Sequence, residues 1–411
     1  MCNQQHKGRI LVRFFCEMFK IALFVVGGGY AILAVANEVF GRRLKWLREG
    51  ELLDHLPVFQ MIPGLIAGNT AIYVGLRMAG RWGAVVGLVA VALPSYLIFL
   101  GVSYGYSWLP VDNLWVSGML AGLRAALTGI LFGTLVKGWR RNVRGVYGYI
   151  SVAVVLALAV VGGWNPALIL LLAMTAGIVW KFLGGAVPWT ENDAMGLQLP
   201  PIPRLRLMLT LGGTAICVAL ISIFYGRIIC EFIKFGLLGF GGGFVLVPLY
   251  LREFVGPSAP YLQLPMEEFS NLMALTQATP GPISVNAATF FGFRLGGVMG
   301  AAVATAALLT PSFFLLTAAL TGLERWKQNR VVQGLLWGVK PATSALLAAA
   351  GLVFAEMSVL TRATGATTWQ FHPLALALAA FAGWALYSGR LPIMWSLFVS
   401  AAAGCAVAPW I

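Results

Sequence analysis

Two stretches of this chain copy one another. The run PVFQMIPGLIAGNTAIYVGLRMAGRWGAVVGLVAVALPS from Pro57 matches ALTQATPGPISVNAATFFGFRLGGVMGAAVATAALLTPS from Ala274. At an offset of 217, Gln60 falls on Gln277, Pro63 on Pro280, Gly64 on Gly281, Asn69 on Asn286, Arg77 on Arg294 and Pro94 on Pro311. Upstream the offset is 214, aligning Glu17, Lys20, Gly27, Gly28 and Gly29 with Glu231, Lys234, Gly241, Gly242 and Gly243. Downstream it is 216, aligning Gly118, Gly122 and Arg124 with Gly334, Gly338 and Lys340. Glycines, prolines and polar residues matched at steady offsets mark an internal duplication. Whatever this chain folds into is built from two copies of one unit.

The unit belongs in a membrane. Apolar residues make up 59% of the chain and charged ones 10%, where a soluble domain is about 25% charged. Each half divides into six apolar segments: about 11–36, 53–76, 81–102, 114–138, 146–162 and 166–183, then about 227–250, 269–293, 296–321, 331–355, 371–387 and 391–410. Several have the ~20 residues that cross a bilayer core. This excludes a soluble enzyme, a disordered chain and a secreted disulfide scaffold. The five cysteines are scattered and the three histidines lie far apart, so neither a metal centre nor a catalytic triad is expected. No cofactor is expected, and no GxxxxGK[ST] loop for nucleotide occurs. The net charge of +14 sits mainly in short loops between apolar runs and reads as membrane orientation, not as nucleic-acid binding.

The expected fold class is an all-α polytopic membrane protein. A first transmembrane repeat covers 1–184, a polar linker and connecting helix 185–225, and a second, inverted repeat 226–411. The inversion follows from the unmatched apolar stretch 207–225, which makes the number of crossings odd. With the N-terminus inside, fourteen loop basic residues face the cytoplasm and only Arg227 and Arg362 face outward, a strong positive-inside bias. The N-terminus is expected in the cytoplasm and the C-terminus outside a cell (inner) membrane. The loop of Arg42, Arg43, Lys45 and Arg48 distinguishes two segments that cross from two that enter and return, and the charge rule favours return. The basic start and the Ala-Val-Ala at 34–36 imitate a cleavable signal peptide. Glu17 and Lys20 interrupt that run and a copy recurs near residue 230, so no cleavage is expected.

The chemistry lies in the repeated motifs. Gln60-x-x-Pro63-Gly64 and Gln277-x-x-Pro280-Gly281 put a helix breaker inside an apolar segment, twice. Irregular backbone at membrane depth is tolerated only inside protein or beside a water-filled cavity. Paired interruptions in matching positions of two inverted halves point to a substrate site, where a half-helix aims its positive N-terminal dipole at an anion. Asn69 and Asn286, one to two turns on, are expected as amide donors to that anion. The triple glycines 27–29 and 241–243 read either as close helix packing or as a second broken helix. Glu17-x-x-Lys20 and Glu231-x-x-Lys234 read as interfacial ion pairs or as candidate proton carriers with a basic partner. Glu17 and Glu231 are taken as the only acids that recur beside a basic partner within the apolar segments. Arg124 and Lys340 fall about ten residues into their segments, where a charge costs about 2.5–3.5 kcal/mol. A remote carboxylate or a bound anion must offset each. Arg77 and Arg294, closing the Pro-Gly segments, read as interfacial anchors or as anion contacts.

These residues resemble the chromate ion transporter family in its long, duplicated form. The resemblance rests on KFGLLGFGGGFVLVPLYLRE (234–253), ALTQATPGPISVNAATFFGFRLGG (274–297) and the degenerate copies at 20–38 and 57–80. It implies about thirteen membrane segments in two opposed halves. It also implies secondary active transport of chromate, a tetrahedral dianion resembling sulfate, usually as efflux conferring chromate resistance. The first half departs from the family pattern, with Leu65 where the second has Pro282 and Val26 where the second has Phe240. From the residues alone, an anionic cargo follows but chromate does not. A passive anion channel, or a transporter of another inorganic anion, is the alternative. The partners expected are the oxyanion and the bilayer; a homodimer is compatible with both.

Overall fold

The computed structural model describes residues 2–25, 28–56, 59, 62–106, 108, 110, 113–184, 225–240, 243–327, 329–361, 370–391 and 393–407. Residues 185–224 of the expected linker and connecting helix (185–225), Gln60, and three of the motif glycines (Gly27, Gly241 and Gly242) lie outside these residues. The described chain is almost entirely helical; one two-stranded antiparallel pair, Leu360–Thr361 with Gln370–Phe371, is the exception. Among the described residues four helices are long and apolar enough to cross a membrane: Ile66–Tyr106, Leu114–Arg140, Ile283–Ala318 and Arg330–Ser358. Large apolar side chains such as Trp82, Val161, Leu183 and Phe398 stand exposed on the outside, as lipid-facing residues must. This is an all-α, multi-pass membrane protein.

Local sequence sets the helix ends in both halves. Asn113 accepts from the Trp115 N–H and Asn329 from the Val331 N–H, so the helices Leu114–Asn142 and Arg330–Ser358 begin on the same side-chain cap. Ile66–Tyr106 is two helices joined by a reversal at Ala79 and Gly80 (φ 65°). Ile283–Lys327 reverses at Gly296 and Gly297 (φ 62°), the same alignment positions. Each reversal needs the left-handed φ that glycine supplies without strain. Across it the arms lie against one another: a Cβ on Gly75 would overlap the Gly83 carbonyl, and one on Gly292 would meet the Gly300 carbonyl.

The chain also doubles back upstream of these arms. Arg43 reaches Glu17 at 2.8 Å, although 26 residues of straight helix would hold them about 39 Å apart. In the second half Lys234 bonds Glu253 at 3.1 Å. The Pro-Gly segments turn likewise, with Arg77 3.2 Å from Glu51 and Arg294 3.0 Å from Glu268. Each half thus holds two folded-back segments, a Gly-rich one followed by a Pro-Gly one.

The remaining helices interlock the halves. Leu114–Asn142 of the first packs on Pro373–Ser388 and Ile393–Val407 of the second, while Arg330–Ser358 of the second packs on Gly145–Leu156 and Pro166–Phe182 of the first. Glycines make both contacts close: Gly129 lies on the Ala379 carbonyl and Gly338 on the Ala173 carbonyl. The small-residue pattern of the sequence therefore serves packing between halves.

Candidate functional site

The tips of the four folded-back segments meet. The Gly64 N–H donates to the Gly239 carbonyl at 3.0 Å, and the Gly281 N–H donates to the Val25 carbonyl at 3.4 Å. By the repeat offsets these are one bond made twice. The Pro-Gly break of each half is tied to the Gly-rich break of the other. Gly29 lies against Ile66 and Ala67, the start of the helix after the first Pro-Gly, and Gly243 lies against Ile283 and Ser284 after the second. Both helix starts are buried, from Ile66 to Leu76 and from Ile283 to Phe291, and the first N–H groups of a helix have no intrahelical partner.

Gly64 (φ 118°) and Gly281 (φ 97°) adopt backbone that L side chains rarely take. Space forbids a side chain there as well: a Cβ on Gly64 would overlap the Ser312 Oγ, and one on Gly281 the Ser95 Oγ. Ser95 and Ser312 are fully buried, and neither hydroxyl has a hydrogen-bond partner among the described residues. They too are a repeat pair, each contributed by one half to the Pro-Gly break of the other. The sequence carried their signal, because the aligned Pro94 and Pro311 are each followed by serine. Gln277 is buried beside the same break with its amide nitrogen unpartnered, and the Ser284 hydroxyl is unpartnered too. A narrow crevice among Gly64, Leu65, Gly236, Gly239, Leu246 and Ser284 marks the meeting point.

The asparagines do something other than the expected donation to a ligand. Asn69 Nδ2 donates to the Phe59 carbonyl at 2.9 Å and the Ile62 carbonyl at 3.5 Å. Asn286 Nδ2 donates to the Thr276 carbonyl at 3.2 Å, to Thr279 Oγ1 at 3.1 Å and to the Pro280 carbonyl at 3.4 Å. Prolines and glycines free carbonyls at a break, and each asparagine gathers those of its own. Their Oδ1 atoms, buried and unpartnered, are what remains available.

Arg124, inside the candidate span Leu114–Arg140, bonds Glu267 at 3.2 Å. Glu267 lies at the start of the helix Met266–Ala278, whose far end leads into the Pro-Gly break about 20 Å away. Of the two offsets the sequence allows, a remote carboxylate or a bound anion, a remote carboxylate is present, at the base of the folded segment. Lys340 is half-buried just before Pro341 in Arg330–Ser358.

The acids that pair with Arg77 and Arg294 were missed in the sequence. Glu51 and Glu268 stand at the same offset of 217, so they too recur beside a basic partner. Burial pushes the Glu51 carboxyl up, but hydrogen bonds from Tyr73, the Arg48 N–H and Arg77 outweigh it and hold it below the usual carboxylate range. Glu17 is held between Lys20 (3.8 Å) and Arg43 (2.8 Å). Glu231 and Glu253 are both buried and share the single ammonium of Lys234. The Tyr261 hydroxyl donates to Glu231 at 3.0 Å, and burial with that carboxylate pushes the Tyr261 phenol up to about 12, so it stays a donor.

Comparison with known proteins fits the duplicated geometry. The profile of the family described as chromate transporter matches residues 12–178 and again 226–405. The chain belongs to the chromate transporter family. It is the long, duplicated form of it. A probable chromate transport protein of Synechococcus elongatus is 24% identical over 379 residues, covering 89% of this chain and 92% of that protein. The chromate transport protein of Cupriavidus metallidurans is 24% identical over 355 residues, covering 86% and 84%. An uncharacterized transporter of Bacillus subtilis is 32% identical over 165 residues, which cover 37% of this chain but 89% of the Bacillus protein. A single unit therefore exists as a chain of its own. No solved structure matches.

Proposed function

We propose that this transporter carries a tetrahedral oxyanion, chromate first and sulfate as a related substrate, by secondary active efflux. The observation that carries the reading is the pair of buried helix starts behind Gly64 and Gly281, each cross-tied to the opposite half and flanked by an unpartnered serine hydroxyl. An oxyanion stripped of water needs donors on several sides. Two converging helix N-termini supply N–H groups and positive dipole ends, and Ser95, Ser312 and Gln277 supply further donors. None of the residues that form the breaks is charged, so the seat is made of dipoles and can release what it binds. Arg124, paired with Glu267, and Lys340 supply the positive field in this reading.

The same reading takes the chain as two inverted repeats, 1–184 and 226–411, with the 185–225 segment between them, the N-terminus cytoplasmic and the C-terminus outside. The folded-back segments are re-entrant, entering and leaving on one side, and the ion pairs at their bases support this. Proton coupling runs through Glu231 in preference to Glu17. Two buried carboxylates share one ammonium there, whereas Glu17 already has two cations.

Flux of labelled chromate and sulfate into proteoliposomes under defined pH gradients tests the proposal. Saturable chromate flux, competed by sulfate and driven by the gradient, is expected. Flux indifferent to any gradient would make the protein a passive anion channel, and no flux of either anion would overturn the reading.

A further inference from the structure

The two Pro-Gly segments agree at their tips and differ at their bases. At the base of the second, Glu268 pairs with Arg294, and Leu272 and Phe290 complete the contact positions. In the first, Glu51 pairs with Arg77, and the positions of Leu272 and Phe290 hold His55 and Tyr73. His55 is 4% exposed, Glu51 5% and Tyr73 0%. Nothing in the oxyanion seat uses this histidine.

The hydrogen-bond inventory restricts its protons. His55 Nδ1 lies 2.8 Å from the Glu51 main-chain carbonyl, which only accepts, so Nδ1 carries a hydrogen. Tyr73 donates its one hydrogen to Glu51 Oε1 at 2.7 Å, and Arg77 donates to the same oxygen at 3.2 Å. The Tyr73 oxygen therefore faces His55 Nε2, 3.4 Å away, as an acceptor. With Glu51 ionised, the arrangement is satisfied when Nε2 also carries a hydrogen, that is, when the ring is an imidazolium. When the ring gives up the Nε2 proton to water, its lone pair needs a donor, and the Tyr73 hydroxyl must turn from Glu51 to His55. One proton thus decides whether Tyr73 ties the helix Ile66–Leu76 region to the carboxylate or to the imidazole. Arg48 and Asp54 are charged residues beside the cluster in sequence. The Arg48 side chain bonds Asp54 at 3.0 Å, and the packed helix Gly28–Asn37 carries no charged side chain.

We propose that Glu51, His55, Tyr73 and Arg77 form a proton-binding site, present in the first repeat only, through which pH acts on transport. The proton-binding part stands on this geometry alone; its effect on transport rests on the function proposed above.

The test uses the full chain labelled with nitrogen-15 histidine. It has three histidines, His6, His55 and His372, and His55→Gln identifies the buried ring. The nitrogen-15 shifts of that ring, followed across pH, report whether it takes up a proton and at what midpoint. Glu51→Gln removes the anion that favours imidazolium and should lower that midpoint by about one unit or more, whereas Arg77→Gln should raise it. Leu272→His with Phe290→Tyr should create a second titrating buried ring. A ring that never titrates, or whose midpoint neither substitution moves, would make the cluster a packing feature and overturn the site. In proteoliposomes, His55→Gln should keep oxyanion flux and flatten its dependence on pH; an unchanged pH dependence would overturn the role in transport. Normal titration in a wild-type protein that carries no oxyanion would leave the site standing and remove the transport reading.

Discussion

The two Pro-Gly segments are the instructive comparison. Their tips share one set of features in duplicate: a glycine at positive φ, a serine from the opposite half, an asparagine that gathers the freed carbonyls, and an N–H tied across to the other Gly-rich break. Their bases keep one ion pair in common and diverge around it. Duplication left both halves with the same parts. Each tip is packed against and tied to a segment of the other half, so a change in one alters the packing of both. The bases do not touch one another in this way and are free to specialise.

The harshest way to break the tip symmetry is Gly64→Ala or Gly281→Ala. Each forces a side chain into unfavourable φ and onto a buried serine, and each should cost about 3 kcal/mol or more. Thermal unfolding of the purified protein measures it, and the two variants should suffer alike. Adding Ser312→Gly to Gly64→Ala removes the overlap and should recover part of the loss; no recovery would assign the whole cost to φ.

Next come the asparagines. Asn69→Ala and Asn286→Ala each leave buried carbonyls unpaired and should cost about 1–3 kcal/mol. Asn→Asp at either position should be no better tolerated, because a carboxylate would face those carbonyls. A harmless Asn69→Asp would show that the amide does not hold the break.

At the bases the effects shrink and separate. Arg77→Gln should destabilise more than Arg294→Gln, since Arg77 shares its buried carboxylate with Tyr73. Both arginines are more than a third exposed, so each change should stay near or below about 1 kcal/mol and fade in high salt. Arg124→Gln should do least, because the Glu267 side chain is 69% exposed. Unfolding midpoints at low and high salt would rank all three.

Much of this organisation was legible in the sequence. The offsets of 217 and 214 carried the pairing of Gly64 with Gly281 and of Gly29 with Gly243, and the Pro-Gly motifs announced irregular backbone. Three things were not legible. That Asn69 would spend its amide on Phe59 depends on where freed carbonyls point, which spacing does not reveal. Arg124 finds Glu267 only because Leu114–Asn142 packs beside Met266–Ala278, a contact 143 residues long in sequence. Glu51 and Glu268 precede the apolar runs and lie upstream of the matched stretches that begin at Pro57 and Ala274. The serines were visible in the alignment, but nothing in it says that each reaches the other half.

That crossing is the centre of the account, and one experiment addresses it most directly. Saturable chromate flux should be measured in proteoliposomes for the wild type, Ser95→Ala, Ser312→Ala and the double variant, each normalised to folded protein. Removing one donor to a charged ligand is worth about 1.5–3 kcal/mol, so each single change should raise KM about tenfold or more and the double change more still. Wild-type KM in the double variant would contradict an oxyanion seat between the two Pro-Gly breaks.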